Sequence, residues 1–213
     1  MTSTVVTMPD PQTPGASATS SRLPSILGMY ALAAATFVVG AHMAHWYGSA
    51  QSATLLFPLV LFFGLAEFCA GGWALWANDA IALAMHATWG VFWTAFGILQ
   101  LMISGGRLTP AQGMSSELGF WFVAIAAITW GITAASRNKE VSSVLGLLAI
   151  GSTLEAIAAL AGADGLRILA GYFLLAAAVV AWYVASALLM RFTRRVKSHA
   201  VAPVTAGESA RVA

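Results

Sequence analysis

A chain of 213 residues that is 59% hydrophobic and only 8% charged cannot cover a water-facing surface, since soluble proteins carry about 25% charged residues. Lipid is therefore the expected solvent, and with a net charge of only +2 no nucleic-acid partner is expected. The single cysteine, Cys69, lies in an apolar run and rules out an intramolecular disulfide framework.

Residues 1–23 are rich in Ser, Thr and Pro and read as a disordered tail. Arg22 precedes an apolar run that continues to about Trp46. That is too long for the apolar region of a signal peptide, so the run is expected as a retained helix. Six apolar segments follow at about 25–46, 54–76, 80–104, 117–136, 142–161 and 166–190. Each is near the roughly 20 residues that span a bilayer. The loops between them are short, which forces neighbouring helices to be antiparallel, and the second and third segments are expected to meet in a tight turn at Asn78-Asp79. No segment alternates in polarity as an outer-membrane barrel strand does. The expected fold is all-α: a polytopic membrane protein with six transmembrane helices in one bundle over 24–191, then a basic and finally disordered tail over 192–213.

Orientation follows from the basic residues. One face would carry Arg22, Arg137, Lys139, Arg191, Arg194, Arg195, Lys197 and Arg211, the other only Arg107 and Arg167. Both termini are thereby predicted to be cytoplasmic, in the plasma (inner) membrane. The cluster from Arg191 to Lys197 can rest on anionic headgroups of the bilayer.

Ionisable groups inside the apolar runs carry the most information. A charge at a helix centre costs about 2.5–3.5 kcal/mol on insertion scales, so such groups face a bundle interior or a wet cavity. Glu67, in the second segment beside Ala66, Ala70, Gly71 and Gly72, either lines a substrate path and takes up a proton or hydrogen-bonds a neighbouring helix. His86, in the third, has the same two readings, with an unperturbed pKa near 6.5. Glu155, after Ser152-Thr153 in the fifth, can line the same cavity or serve packing. His42 and His45 end the first segment at i, i+3, a spacing that haem and metal sites use, but their neighbours Trp46 and Tyr47 mark an interfacial aromatic belt. Most tryptophans are read as belt or lipid-facing. Trp89, deep in the third segment beside Gly90, is the exception. Small residues such as Gly64, Gly71, Gly90 and Gly171 recur at helix-contact spacing, as in membrane helices that approach closely. No Walker loop, Rossmann fingerprint, His-Glu-x-x-His or Gly-x-Ser-x-Gly occurs. An enzyme is not expected, and neither is a metal or another cofactor.

Several stretches resemble the acetate uptake transporter family, the YaaH-like six-helix proteins that pass acetate and succinate. Leu23-Pro24-Ser25-Ile26-Leu27-Gly28-Met29 is similar to that family's Asn-Pro-Ala-Pro-Leu-Gly-Leu motif and keeps Pro24, Leu27 and Gly28. Gly64 with Ala70-Gly71 matches its second helix, and Thr88-Trp89-Gly90-Val91-Phe92-Trp93 resembles its Ser-Tyr-Gly-Ser-Phe-Trp. Ala170-Gly171-Tyr172 with Ala181-Trp182-Tyr183-Val184-Ala185 resembles its last helix. The resemblance implies a hexamer with one anion path through each protomer. It also implies a constriction built from the first, third and fifth helices, here Leu32 and Trp89 with Gly151 or Ser152. Glu67 falls where the family often has Gln, and with His86, Thr88 and Glu155 it would line the path. The departures are the lost Asn and second Pro of the first motif, Ala74 where the family has Glu, and Trp89 where it has Tyr.

The expected function is a transporter or channel for small monocarboxylates such as acetate, with succinate a second candidate. Proton coupling through Glu67, His86 or Glu155 is a further expectation. Two alternatives stand beside it: a non-transporting helix-bundle scaffold, and a haem- or metal-binding membrane redox protein using His42, His45 and His86.

Overall fold

The computed structural model describes residues 23–109 and 116–200, and of Leu23, Pro24, Ala50, Ser116 and residues 195–200 the backbone alone. Six helices run α1 Leu23–Met43, α2 Ala50–Trp76, α3 Ala80–Ser104, α4 Ser116–Ala135, α5 Lys139–Ala161 and α6 Asp164–Ala200. All six are long and apolar enough to cross a membrane, and no strand occurs among the described residues. Of the expected tails at 1–23 and 192–213, residues 1–22 and 201–213, with Arg22 and Arg211, lie outside the described residues.

Turn chemistry sets the helix boundaries. Asp79 caps α3, its Oδ1 accepting from the Ala82 N–H at 3.0 Å, while Asn78 takes the left-handed conformation (φ 54°) that lets the chain reverse at once. Asn138 caps α5 by accepting from the N–H groups of Glu140 and Val141 at 2.9 and 3.3 Å. Gly162 ends α5 with φ 67°, where a side chain would be strained.

The helices form a ring in chain order. α1 packs on α2 and on α6, α5 on α4 and α6, and α2 most closely on α3, whereas α3 and α4 meet loosely. The α2–α3 contact is backbone on backbone. A Cβ at Gly64 would come within 2.5 Å of the Thr94 nitrogen, and one at Gly71 within 2.7 Å of the Ala87 nitrogen. Only glycine allows this approach, the close packing expected of membrane helices. Aromatic rings fill the α3–α4 seam instead: Phe92 lies 4.8 Å from Trp121 and 5.3 Å from Phe122, centroid to centroid.

The outer surface is apolar, with Phe62, Phe68, Trp73, Phe120, Val123 and Tyr183 exposed. Continuous exposure on this scale belongs to a lipid or subunit interface rather than to water. Two features differ from the sequence reading. Trp93 is as fully buried as Trp89, because the two stand one helical turn apart on the same face of α3. Helix α6 does not end near 190 but continues to Ala200. Hydropathy marks where lipid ends, not where a helix ends, and Arg, Lys and Ala are good helix formers.

Candidate functional site

Two cavities lie at opposite ends of the ring. The first, about 450 Å³, opens where α1 ends and α6 begins, and is lined by His42, Tyr47, Phe96, Gln100, Glu155 and Arg167 among others. The second, about 370 Å³, opens at the face bearing the chain ends and is lined by Ser25, Met29, Asp79, Met85, Arg137, Glu140 and Arg191 among others. Between them the interior is packed with Leu32, Trp89, Trp93, Leu145 and Leu148, all fully buried.

Near the second cavity, α2 and α3 bring Glu67 and His86 together. His86 Nδ1 lies 3.3 Å from Glu67 Oε1, and both side chains are 0% exposed. Gly28 of α1 makes the room: a Cβ there would land on the His86 imidazole. The motif glycine Gly28 of α1 therefore serves a ring on α3. An imidazole and a carboxyl can share one proton, so the couple can sit in the interior without separated charges.

At the first cavity the short α5–α6 turn folds Arg167 back onto Glu155. Arg167 Nε donates to Glu155 Oε1 at 3.1 Å, and Nη1 lies 4.0 Å from Asp164 Oδ1. His45 Nε2 approaches the same Asp164 at 3.5 Å. The Tyr47 hydroxyl donates to the Val38 carbonyl at 2.7 Å. Burial raises its pKa above the ordinary tyrosine value, which keeps it a donor.

Eight buried polar atoms have no hydrogen-bond partner among the described residues: Thr36 Oγ1, His42 Nδ1, Glu67 Oε2, His86 Nε2, Trp89 Nε1, Trp93 Nε1, Ser152 Oγ and Glu155 Oε2. Buried polar groups are paired in the great majority of cases. A set of unpaired ones inside a membrane bundle fits a route for a polar passenger or for water.

The expected site residues divide. Leu32 and Trp89 lie in the plug between the cavities, and Ser152 is buried on α5 with its hydroxyl free. Gly151 does not face the interior with it: a Cβ there would meet Leu174 Cδ2 of α6 at 3.0 Å, so this glycine is a helix contact. Thr88 is turned away from Trp89 and lines an outer groove with Phe68, Val91 and Trp121. Leu27 is partly exposed on the outside of α1. The side chain of Pro24 lies outside the described residues.

His42 and His45 do not share a helical face. Helix α1 stops at Met43, and His45 sits in a turn with φ 60°. His42 meets Phe57 edge-on at 5.2 Å. His86 is at the opposite end with Glu67, so the three histidines of the redox alternative are not brought together. Sequence reasoning missed Arg167 and Gln100 as cavity groups. A mirror pairing across the α5–α6 turn sets 167 against about 158, one helical turn from Glu155, a signal that points to Arg167.

A model of the GPR1/FUN34/yaaH family matches residues 9–205. Among curated proteins, the chain is 24% identical over 165 residues to ammonia transport outward protein 2 of Saccharomyces cerevisiae. It is 25% identical over 165 residues to accumulation of dyads protein 2 of the same yeast. Each alignment covers 75% of this chain and 58% of the relative's length. Among solved structures, that of the bacterial acetate channel SatP superposes with a TM-score of 0.70 at 20% identity, covering 78% of this chain and 91% of that one. At that identity the likeness shows the shared six-helix fold.

Proposed function

Because the chain belongs to the GPR1/FUN34/yaaH family, we propose that it passes small monocarboxylate anions, acetate first and succinate second, along the interior of each six-helix protomer. The observation that carries this reading is the pair of cavities at opposite ends of the ring, with buried polar atoms that lack partners among the described residues in the interior. Leu32 and Trp89 would form the constriction, an apolar and aromatic girdle that gates by excluding water. The fold shared with SatP, a bacterial acetate channel, supports the same substrate class.

Glu67 and His86 would carry a proton with the anion, since an ionised Glu67 repels a carboxylate and a protonated one does not. Arg137, Lys139, Arg191 and Arg194 lie at the face bearing the chain ends. Their number favours a cytoplasmic location for both termini, in the plasma (inner) membrane. The exposed apolar flanks of α2, α3 and α4 suit a homo-oligomer, a hexamer by family resemblance.

The test is labelled-acetate uptake into proteoliposomes by the native protein and by Trp89→Ala. Native uptake is expected, with a changed rate in the variant, because one of the two tryptophans of the plug is gone. Absence of uptake by native protein that is shown to be folded would overturn the reading in favour of a scaffold or a different passenger.

A further inference from the structure

We propose that Arg167 is the carboxylate-recognising residue of the first cavity, and that Glu155 holds its place until a substrate carboxylate takes it over. The proposal rests on the transport reading above and assigns that reading's selectivity to one side chain.

The pair is poorly matched for a purely structural bond. Arg167 is 17% exposed and Glu155 4%. An arginine and a carboxylate bind best in a fork with two parallel hydrogen bonds. Here one bond forms, from Nε to Glu155 Oε1 at 3.1 Å. The second carboxylate oxygen, Oε2, is buried without a partner, and Nη1 stands 4.0 Å from Asp164, too far for a hydrogen bond. A guanidinium has five N–H donors, so a substrate carboxylate can approach through the Nη edge and then displace the singly bonded Glu155.

The surroundings suit that ligand. The cavity of about 450 Å³ falls within the common range of small-molecule sites, about 300–1,000 Å³. Phe96, Phe122 and Leu118 offer an apolar wall for a methyl or short alkyl group, and the Gln100 amide and His42 offer polar contacts. The other charged or titratable groups are Asp164, His45 and Tyr47. Asp164 lies 3.5 Å from His45 and 4.0 Å from Arg167 Nη1, and Tyr47 is bonded to Val38, so Glu155 is the carboxylate hydrogen-bonded to Arg167 and the nearer competitor. This competition has a use. A carrier site must bind firmly enough to admit its ligand and weakly enough to release it, and exchanging one carboxylate for another on a fixed cation does both.

The rival reading is a staple that only joins α5 to α6. The two differ in sign. Under exchange, Arg167→Gln raises the half-saturating acetate concentration about tenfold or more, from the loss of one charge-assisted bond. Glu155→Gln lowers it several-fold by removing the competitor, and Arg167→Lys falls between Arg167→Gln and native. Under a staple, all variants lose thermal stability and none shifts half-saturation.

Uptake in proteoliposomes and acetate binding to detergent-purified protein are measured together. Native uptake with unchanged or raised half-saturation in Glu155→Gln overturns this inference alone. Native protein that neither binds nor moves acetate overturns the transport reading with it. If Arg167→Gln does not fold, Glu155→Gln and Arg167→Lys still decide, because their expected shifts have opposite directions.

Discussion

Two glutamates inside the bundle have solved the same problem with different bases. Glu67 is paired with His86 and neither is exposed at all, whereas Glu155 is paired with Arg167 at the rim of a cavity. The base explains the depth. A histidine can be neutral, so the Glu67 couple can hold one proton between two acceptors and enter the dry interior. An arginine is never deprotonated in a protein. Its pair stays ionic and remains where water or a ligand can reach it. Desolvating a true ion pair costs more than its attraction returns unless the geometry is excellent, and the single bond at Arg167 is not excellent. The inner couple therefore suits proton handling and the outer pair suits anion recognition.

The sharpest way to break the contrast is to remove the space that the inner couple needs. In Gly28→Ala the added Cβ lands on the His86 ring, and overpacking of a tight core costs about 1–3 kcal/mol. The same substitution in a His86→Ala background should cost much less, because the methyl then has room. Unfolding in micelles, followed by tryptophan fluorescence, measures both. Equal losses in the two backgrounds would mean that Gly28 does not act through His86.

A milder change separates charge from shape. Glu67→Gln keeps the size and one hydrogen-bonding oxygen, so its stability loss should stay near that of one hydrogen bond, about 0.5–1.5 kcal/mol. Its effect on transport should be larger. In the native chain proton uptake by the Glu67–His86 couple at lower pH makes it more favourable to a carboxylate passenger and should speed uptake. In the variant that rise should vanish and the pH profile become flat. A variant whose uptake follows pH as the native protein does would remove Glu67 from the proton path.

Much of this contrast is legible in the sequence, but not all of it. The six helices follow from composition, because a bilayer imposes about 20 apolar residues on anything that crosses it. The Asn78-Asp79 turn follows from capping chemistry. Glu67, His86 and Glu155 stand out because charge is rare in such runs. Their partners are harder to read. Nothing in one dimension sets Glu67 against His86 rather than against another helix, and Arg167 counts as a loop charge until the Gly162 turn folds it back. Facing errors arise at single steps: Thr88 precedes the buried Trp89 by one residue and Gly151 precedes Ser152 by one, and one helical step is about 100°. His45 leaves the face of His42 because helical periodicity ends at Met43, two residues before it.

A third acid–base pair supplies the control at the exposed end of the scale. Arg191 Nη2 donates to Glu140 Oε1 at 3.1 Å, joining α6 to α5 at the mouth of the second cavity, and the side chains are 54% and 34% exposed. The distance equals that of the Arg167–Glu155 bond, so bond length alone would predict equal importance. Water argues otherwise: an exposed pair is screened and worth only about 0–1 kcal/mol. Arg191→Ala should therefore change unfolding in micelles by no more than about 1 kcal/mol. It should leave half-saturation by acetate unshifted, whereas Arg167→Gln raises it. Raising the salt concentration should weaken the small Arg191 contribution further, since screening acts on exposed charges first. A shift in half-saturation at Arg191 as large as at Arg167 would show that anion recognition follows positive charge at either mouth, and would end the special status of the half-buried pair.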